Sequence, residues 1–388
     1  MPAAPTRRLI SLALPPGEEF IAAFEQAWAA GDAVLPVDPH APPAVVDNLL
    51  AAMRPDDPVE VGVALVIATS GSTGEPKGAQ LRREALDASI DAAHARLGRE
   101  ADDVWLSCLP WHHIGGLQVM LRARRLGIPL VVHDRFDTQR FAAAEATLTS
   151  LVPTQLAALL DAGVDLRRFR AILLGGAAAS ASLLARARAA GAAIVTTYGM
   201  SETAGGCVYD GRPLDGVQVK VLTDGRLAIR GPMLMSGYRG RADLTAQALA
   251  GGWLHTSDLG TVEDGTVTVT GRFDDVIVSG GENVVAGAVA TAIGTHPAVT
   301  DVAVVGIPDE RWGHRVVAVI EATEPVPTLE ELRDWCRGVL PAASLPRQVV
   351  VVAALPRLPS GKADPAAVAR LAGQATPTSQ PVSPTSSR

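Results

Sequence analysis

Apolar positions in the first two hundred residues form short runs that alternate with amphipathic stretches. Residues 61–68 predict a buried strand, because the run is short, rich in Val, and ends abruptly in small polar residues. Upstream, Phe20, Phe24 and Trp28 recur at helical spacing until Gly31-Asp32 stops the helix. Pro-rich connectors follow at 36–43 and 55–58, and residues 1–60 read as a lead-in without recognisable chemistry. Downstream, a helix over 84–97 and a strand over 104–109 begin a regular alternation. Strands at 128–133, 148–152, 170–174 and 193–197 interleave with helices at 138–146, 153–161 and 180–190. Such alternation predicts parallel sheets covered by helices, with ligands at the carboxyl ends of the strands.

Past residue 205 the pattern turns to short strands (217–222, 226–230, 267–270) joined by Asp-Gly turns at Asp224-Gly225 and Asp264-Gly265. These predict hairpins of a small barrel-like subdomain. The helix 284–294, strands 299–306 and 314–321, helix 328–339 and strand 347–353 then predict a smaller α+β domain ending near 372. Residues 373–388 are a low-complexity tail, expected to be disordered.

Composition narrows the function classes. A chain of 388 residues has room for two or three domains and a large core. The formal net charge of −7 and the lack of a basic tract with interleaved aromatics argue against nucleic acid. Cys108, Cys207 and Cys336 are isolated, which argues against a disulfide framework or zinc site and fits a reducing cytoplasm. The apolar residues near the N-terminus are too few for a signal peptide, and no stretch approaches the roughly 18 apolar residues that span a bilayer. The sequence therefore predicts a cytoplasmic protein without membrane insertion.

The candidate chemistry begins where the 61–68 run ends, at Thr69-Ser70-Gly71-Ser72-Thr73-Gly74-Glu75-Pro76-Lys77-Gly78. Glycines let backbone N–H groups converge on phosphate oxygens, hydroxyls donate further hydrogen bonds, and Lys supplies a point charge. A Walker A loop is excluded, since Lys77 sits between Pro76 and Gly78 with no helix start behind it. Three further candidate loops end predicted strands: Val152-Pro153-Thr154-Gln155, Leu174-Gly175-Gly176-Ala177 and Thr197-Tyr198-Gly199-Met200-Ser201-Glu202-Thr203. The second would let a flat ring lie against bare backbone. In the third, Tyr198 offers a stacking face and Glu202 a carboxylate for Mg²⁺. His112 and His113, before Gly115-Gly116, suggest a tight turn beside a cavity, with His112 merely packing.

The ten-residue stretch from Thr69 resembles the phosphate loop of the adenylate-forming superfamily, which includes acyl-CoA synthetases, adenylation domains and luciferases. The likeness extends over about residues 61–365, with the main motifs in order. It implies a mixed α/β protein: a large N-terminal domain (1–273) of parallel-sheet α/β lobes plus a small β-barrel subdomain, and a small mobile α+β C-terminal lid domain (274–372). The implied phosphate site is Thr69, Ser70, Gly71, Ser72, Thr73, Gly74 and Lys77. The implied adenine and ribose site is Gly175, Gly176, Ala177, Thr197, Tyr198, Gly199, Asp258 and Arg272, with Asp258 taking the ribose hydroxyls. Glu202 would hold Mg²⁺, and Lys362, in Pro359-Ser360-Gly361-Lys362, would bridge the carboxylate and the α-phosphate. Asp274 is the implied hinge, and Ser279, Gly280 and Gly281 form the loop on the coenzyme A side.

The resemblance implies two half-reactions using ATP, Mg²⁺ and coenzyme A, with a small carboxylic acid as substrate and a homodimer left open. Tyr198 to Gly211, followed by Pro213-Leu214-Asp215-Gly216-Val217, is similar to actinobacterial o-succinylbenzoate–CoA ligases of menaquinone synthesis. The phosphate loop comes roughly a hundred residues earlier than in most of the superfamily. For the acyl pocket, His113, Thr154, Gly205 and Gly206 are the expected lining, while Arg122 and Arg124 read either as solvated helix residues, the reading favoured, or as partners of a second carboxylate. An aryl- or fatty-acyl-CoA ligase, a carrier-protein adenylation domain and a non-catalytic nucleotide-binding relative are the alternatives.

Overall fold

The computed structural model describes residues 7–70, 76–358 and 363–375. Gly71, Ser72, Thr73, Gly74 and Lys362 therefore lie outside the described residues, as does most of the C-terminal tail. The chain divides into two compact units, the second comprising residues 180–183, 257–259 and 269–388.

The 61–68 run begins its strand two residues late and carries it further. Val61 is exposed, and the strand spans Val63–Ser70. It is the third of a mixed five-stranded sheet whose first strands are β1 (Leu9–Leu12) and β2 (Ala33–Pro36), both parallel to it. With Val63–Ser70 as β3, β4 (Pro76–Arg82) returns antiparallel, and a two-residue strand, Gly237–Tyr238, pairs on its far side. The lead-in thus supplies two of the five strands of the sheet that carries Thr69 and Lys77, beyond the helix-containing segment that its sequence predicts. Both faces of β3 are buried, which explains its apolar run, and the register with β4 shifts between Val63 and Leu65. Ala64, Leu65 and Ile67 join a core with Phe20, Phe24 and Trp111, while Val63 and Val66 join Leu9, Leu35 and Met53. The Trp28 indole of helix α1 (Glu18–Ala29) donates to Ala64 O at 2.8 Å and fixes α1 on β3. Helix α2 (Pro43–Met53) was not foreseen, its apolar face being obscured by the prolines around it.

The second sheet is the predicted parallel one. Strands β5 (Trp105–Ser107), β6 (Leu130–Val132), β7 (Leu148–Leu151), β8 (Ala171–Leu174) and β9 (Ile194–Met200) stand in the order β9-β8-β7-β5-β6, all parallel. Two antiparallel strands, β10 (Gly205–Tyr209) and β11 (Arg212–Pro213), extend it beyond β9. The third sheet holds Gln218–Val221, Arg226–Arg230, Leu249–Ala250, Trp253–Glu263 and Thr266–Arg272.

The second unit is built on Val276–Ser279, Glu282–Val285, Val299–Asp309, Gly313–Ala322 and Gln348–Val351. Its central strand shows the period-two burial of a sheet covered on both sides. Val316, Ala318 and Ile320 face Val289, Ile293 and Leu332, whereas Val317 and Val319 face Val368 and Ala372. The last helix, Pro365–Gln374, is capped by Asp364, which accepts from Ala366 N and Ala367 N. It runs two residues into the stretch expected to be tail.

At the amino ends of β5, β7 and β8 a buried ion pair locks the second sheet, opposite the edge where the candidate loops emerge. Asp103 takes Arg170 Nε at 2.5 Å and Nη2 at 2.7 Å, and Arg170 also reaches Leu97 O and Gly98 O. Burial works against the Asp103 charge, but the Arg170 bonds and the Glu100 N–H hold its carboxyl below the usual range. Removing one member strands the other. Asp103→Ala is expected to cost about 3 kcal/mol by chemical denaturation, with part recovered in Asp103→Ala/Arg170→Met.

Candidate active site

Residues Thr69 and Lys77 face each other at the end of the β3–β4 hairpin, and Ser70 pairs with Pro76. The Thr69 hydroxyl donates to Lys77 O at 3.4 Å. The hairpin thus places Thr69 and Lys77 on paired strand ends. Gly78 is required by packing, since a Cβ there would lie 2.4 Å from Met53 Sδ and 2.8 Å from Val66 Cγ1.

The loops after β8 and β9 meet through bare backbone. A Cβ on Gly175 would lie 2.2 Å from Thr197 Oγ1, and that hydroxyl donates to Leu174 O at 3.3 Å. A Cβ on Gly199 would lie 2.1 Å from Gly205 O, so β9 and β10 approach as closely as backbone allows. Gly206 packs on Thr197 from the other side, with 3.3 Å between its notional Cβ and Thr197 Cβ. Gly175, Thr197, Gly199, Gly205 and Gly206 form one cluster, while Gly176 and Ala177 are exposed at its margin. Tyr198 is half-buried and packs on the main core of the first unit.

Between β9 and β10 the chain makes a single tight turn, Ser201–Thr203. The Thr203 hydroxyl accepts from Met200 N at 2.9 Å and donates to Gly205 O at 2.7 Å. Ala204 then takes φ 52°, a left-handed conformation costly for a residue with a Cβ. Its carbonyl is held by the Gln118 amide at 2.6 Å and the Ser89 hydroxyl at 3.1 Å. Ser89 and Gln118 are buried supports that the sequence did not single out.

The turn aims Glu202 at Tyr238, whose hydroxyl donates to Glu202 Oε1 at 2.7 Å. Burial, reinforced by the carboxylate, pushes that hydroxyl far above the usual tyrosine range, so it stays a donor. Lys77 Nζ lies 5.9 Å from the centroid of the same ring. Phosphate-loop lysine and candidate metal carboxylate therefore share one tyrosine, which the sequence reading missed. Its only signal was Gly237-Tyr238-Arg239-Gly240, a tyrosine and an arginine between glycines.

Among the described residues no group of three His, Cys, Asp or Glu could hold a metal by itself. The donors fit Mg²⁺ nonetheless: Glu202 has one oxygen engaged by a neutral donor, and Mg²⁺ with a nucleotide takes one or two carboxylates plus phosphates and water.

On the acyl side, exposed His113 starts the helix Ile114–Leu126, and Ile114 comes within 3.8 Å of the notional Gly205 Cβ. His112 lies 4.4 Å from the His113 ring, and burial lowers its pKa. Thr154 is the second residue of the helix Pro153–Asp161, whose N-cap Val152 lies 3.2 Å from the notional Gly176 Cβ. The two candidate arginines separate clearly. Arg124 is exposed and bonded to Glu25 at 2.7 Å, whereas Arg122 is buried against Trp105 and reaches Tyr209 Oη at 3.3 Å.

In the second unit, Arg272 bonds Asp258 at 3.3 Å and the proposed hinge, Asp274, at 3.1 Å. Burial works against its charge, but the two carboxylates raise its pKa. Ser279 is buried, and Gly280 (φ 62°) and Gly281 (φ 84°) turn the hairpin between Val276–Ser279 and Glu282–Val285. Gly280 N donates to Trp312 O at 2.8 Å and its α-carbon faces the indole. Arg347 lies 3.5 Å and Arg311 4.9 Å from that ring. Burial lowers the Arg347 pKa, and the charges of Arg333 and Arg311 lower it further. This crowded cationic patch was also missed.

Two family models match the chain: AMP-binding enzyme over residues 51–239, and AMP-binding enzyme C-terminal domain over 288–362. A probable 2-succinylbenzoate–CoA ligase of Mycobacterium tuberculosis is 46% identical over 351 residues, covering 86% of this chain and 91% of the relative. A 2-succinylbenzoate–CoA ligase of Geobacillus is 34% identical, covering 77% of this chain and 67% of its own. The o-succinylbenzoate CoA synthetase of Bacillus subtilis, solved with its acyl-adenylate intermediate, superposes with a TM-score of 0.79 at 26% identity, covering 92% and 87% of the two chains. The same enzyme with ATP and magnesium gives 0.80 at 26% identity, covering 92% and 88%. A family match over both units, carried by a relative alike along nearly its whole length, places this chain among the AMP-binding enzymes, as an adenylate-forming, ATP-dependent acid–thiol ligase.

Proposed function

We propose that the chain converts o-succinylbenzoate to its coenzyme A thioester by way of an acyl-adenylate. One observation supports the chemistry most directly: Glu202 and Lys77 converge on Tyr238, a metal carboxylate and a phosphate cation on one ring. The choice of acid rests on the relatives, whose names give 2-succinylbenzoate.

In the first half-reaction the acid's carboxylate oxygen attacks the α-phosphorus of ATP and pyrophosphate leaves. Lys77 draws phosphate charge, and Lys362 steadies the approaching carboxylate and α-phosphate. Glu202 would hold Mg²⁺, which would supply charge neutralisation at the phosphates. Catalysis is thus mainly positioning and electrostatics. Thr69, Ser70, Gly71, Ser72, Thr73 and Gly74 cradle the phosphates. Gly175, Gly176, Ala177, Thr197, Tyr198 and Gly199 accept the adenine, and Asp258 with Arg272 takes the ribose. His113, Thr154, Gly205 and Gly206 leave room for a planar ring.

In the second half-reaction the coenzyme A thiol attacks the acyl carbon and AMP departs. Ser279, Gly280 and Gly281 serve this step. The arginines around Trp312 suit the anionic nucleotide end of coenzyme A, since a guanidinium grips phosphate in a fixed geometry. Asp274 is the residue at which the second unit changes its setting between the two steps.

Three outcomes test this reading. In a pyrophosphate-release screen over carboxylic acids, o-succinylbenzoate should give the highest kcat/KM. A higher value for benzoate or a medium-chain fatty acid would overturn the acid and leave the ligase. Arg347→Ala should raise KM for coenzyme A roughly tenfold while acid-dependent pyrophosphate release is unchanged, the loss of about one charged contact. Asp274→Pro fixes φ near −65° and should leave adenylation within roughly tenfold while thioester formation from supplied acyl-adenylate falls much further. Equal losses in both half-reactions would remove Asp274 from the hinge.

A further inference from the structure

Glu202 has a neutral partner where a half-buried carboxylate commonly takes a cation. The Tyr238 hydroxyl engages Oε1, and among the described residues no lysine or arginine pairs with Glu202. The difference matters for a metal ligand. A guanidinium would cancel the charge that a divalent cation needs, whereas a phenol fixes one oxygen and leaves that charge in place.

The phenol is itself held from three directions. Its backbone pairs with Ala79 on β4, two residues from Lys77. The next residue, Arg239, donates from its backbone to Gly78 O at 2.8 Å. The buried Arg239 guanidinium then spans the loop after α2, reaching Met53 O, Arg54 O and Asp57 O at 2.5–2.7 Å and Pro58 O at 3.3 Å. Five carbonyls thereby fix the residue beside Tyr238. From the other side, Met235 N donates to Glu202 O at 2.8 Å, so the same segment grips both ends of Glu202.

We propose that Tyr238 is a positioning residue that holds Glu202 through Oε1 so that Oε2 is presented to the divalent cation accompanying ATP. The proposal deepens the reading of the chain as an ATP·Mg²⁺-dependent adenylating enzyme and is independent of which acid it uses. Tyr238→Phe removes one oxygen and keeps the ring that packs beside Lys77. It should weaken metal-dependent ATP binding and leave metal-free ATP binding alone.

The test is calorimetric titration of ATP into the full chain without acid or coenzyme A, once with saturating Mg²⁺ and once with EDTA. Wild type should bind more tightly with Mg²⁺. Tyr238→Phe should lose about tenfold of affinity in Mg²⁺, the usual scale for a metal ligand's hydrogen-bond partner, and none in EDTA. Glu202→Gln should lose at least as much, and the double variant no more than Glu202→Gln alone. If Tyr238→Phe failed to fold, Glu202→Asp would keep the charge, withdraw it from the phenol, and should show the same selective loss. An unchanged Mg²⁺ gain in Tyr238→Phe, equal losses in both buffers, or additive losses in the double variant would each overturn the proposal. A wild-type protein that binds ATP equally with and without Mg²⁺ would overturn the adenylating reading and the proposal with it.

Discussion

The two-residue strand Gly237–Tyr238 is the seam on which the first unit's site depends. An anion-binding loop on one sheet must meet a carboxylate on another, and neither sheet can deliver both. Backbone bonds to β4 hold the phosphate hairpin on one side of this strand. On the other side, Tyr238 Oη and Met235 N take the side chain and the backbone of Glu202. Arg239 then fastens the strand to the end of α2. The elements that the seam joins also share one apolar core, in which Ile67 and Ala79 of the hairpin pack with Ala204 and Cys207 beside the turn that carries Glu202. Hydrogen bonds and shared packing together set the geometry of the site.

Close backbone approach is the second constraint. Gly175 against Thr197 and Gly199 against Gly205 leave no room for a Cβ, and the strained Ala204 is tolerated because Gln118 and Ser89 over-determine its carbonyl. The strain directs the turn that carries Glu202. Rigidity here stands against the hairpin turn at Gly280-Gly281 in the second unit, where paired positive φ values make a turn that only glycine adopts readily.

Much of this was legible in the sequence. The parallel sheet was readable because its strands are short apolar runs that alternate with helical segments, and Thr197, Gly199, Glu202, Gly175 and Gly205 fall at strand ends or turns. What escaped did so for physical reasons. Strands β1 and β2 are four residues each and α2 starts among prolines, so periodicity had too few positions to show. A two-residue strand has no period at all, which hid Tyr238. The Arg347–Trp312 stack joins residues 35 apart in the chain, and nothing local marks either one. Arg122 and Arg124 look alike on one helix, yet burial and Glu25 give them different lives.

The central claim is that one seam brings Glu202 and Lys77 to the same triphosphate. Diffraction at the manganese edge from crystals grown with ATP and Mn²⁺ tests it most directly. The account predicts an anomalous peak about 2.1 Å from Glu202 Oε2 and from phosphate oxygens, with Tyr238 still on Oε1 and Lys77 on a phosphate. A metal bound to the phosphates with Glu202 turned away from it would contradict the account.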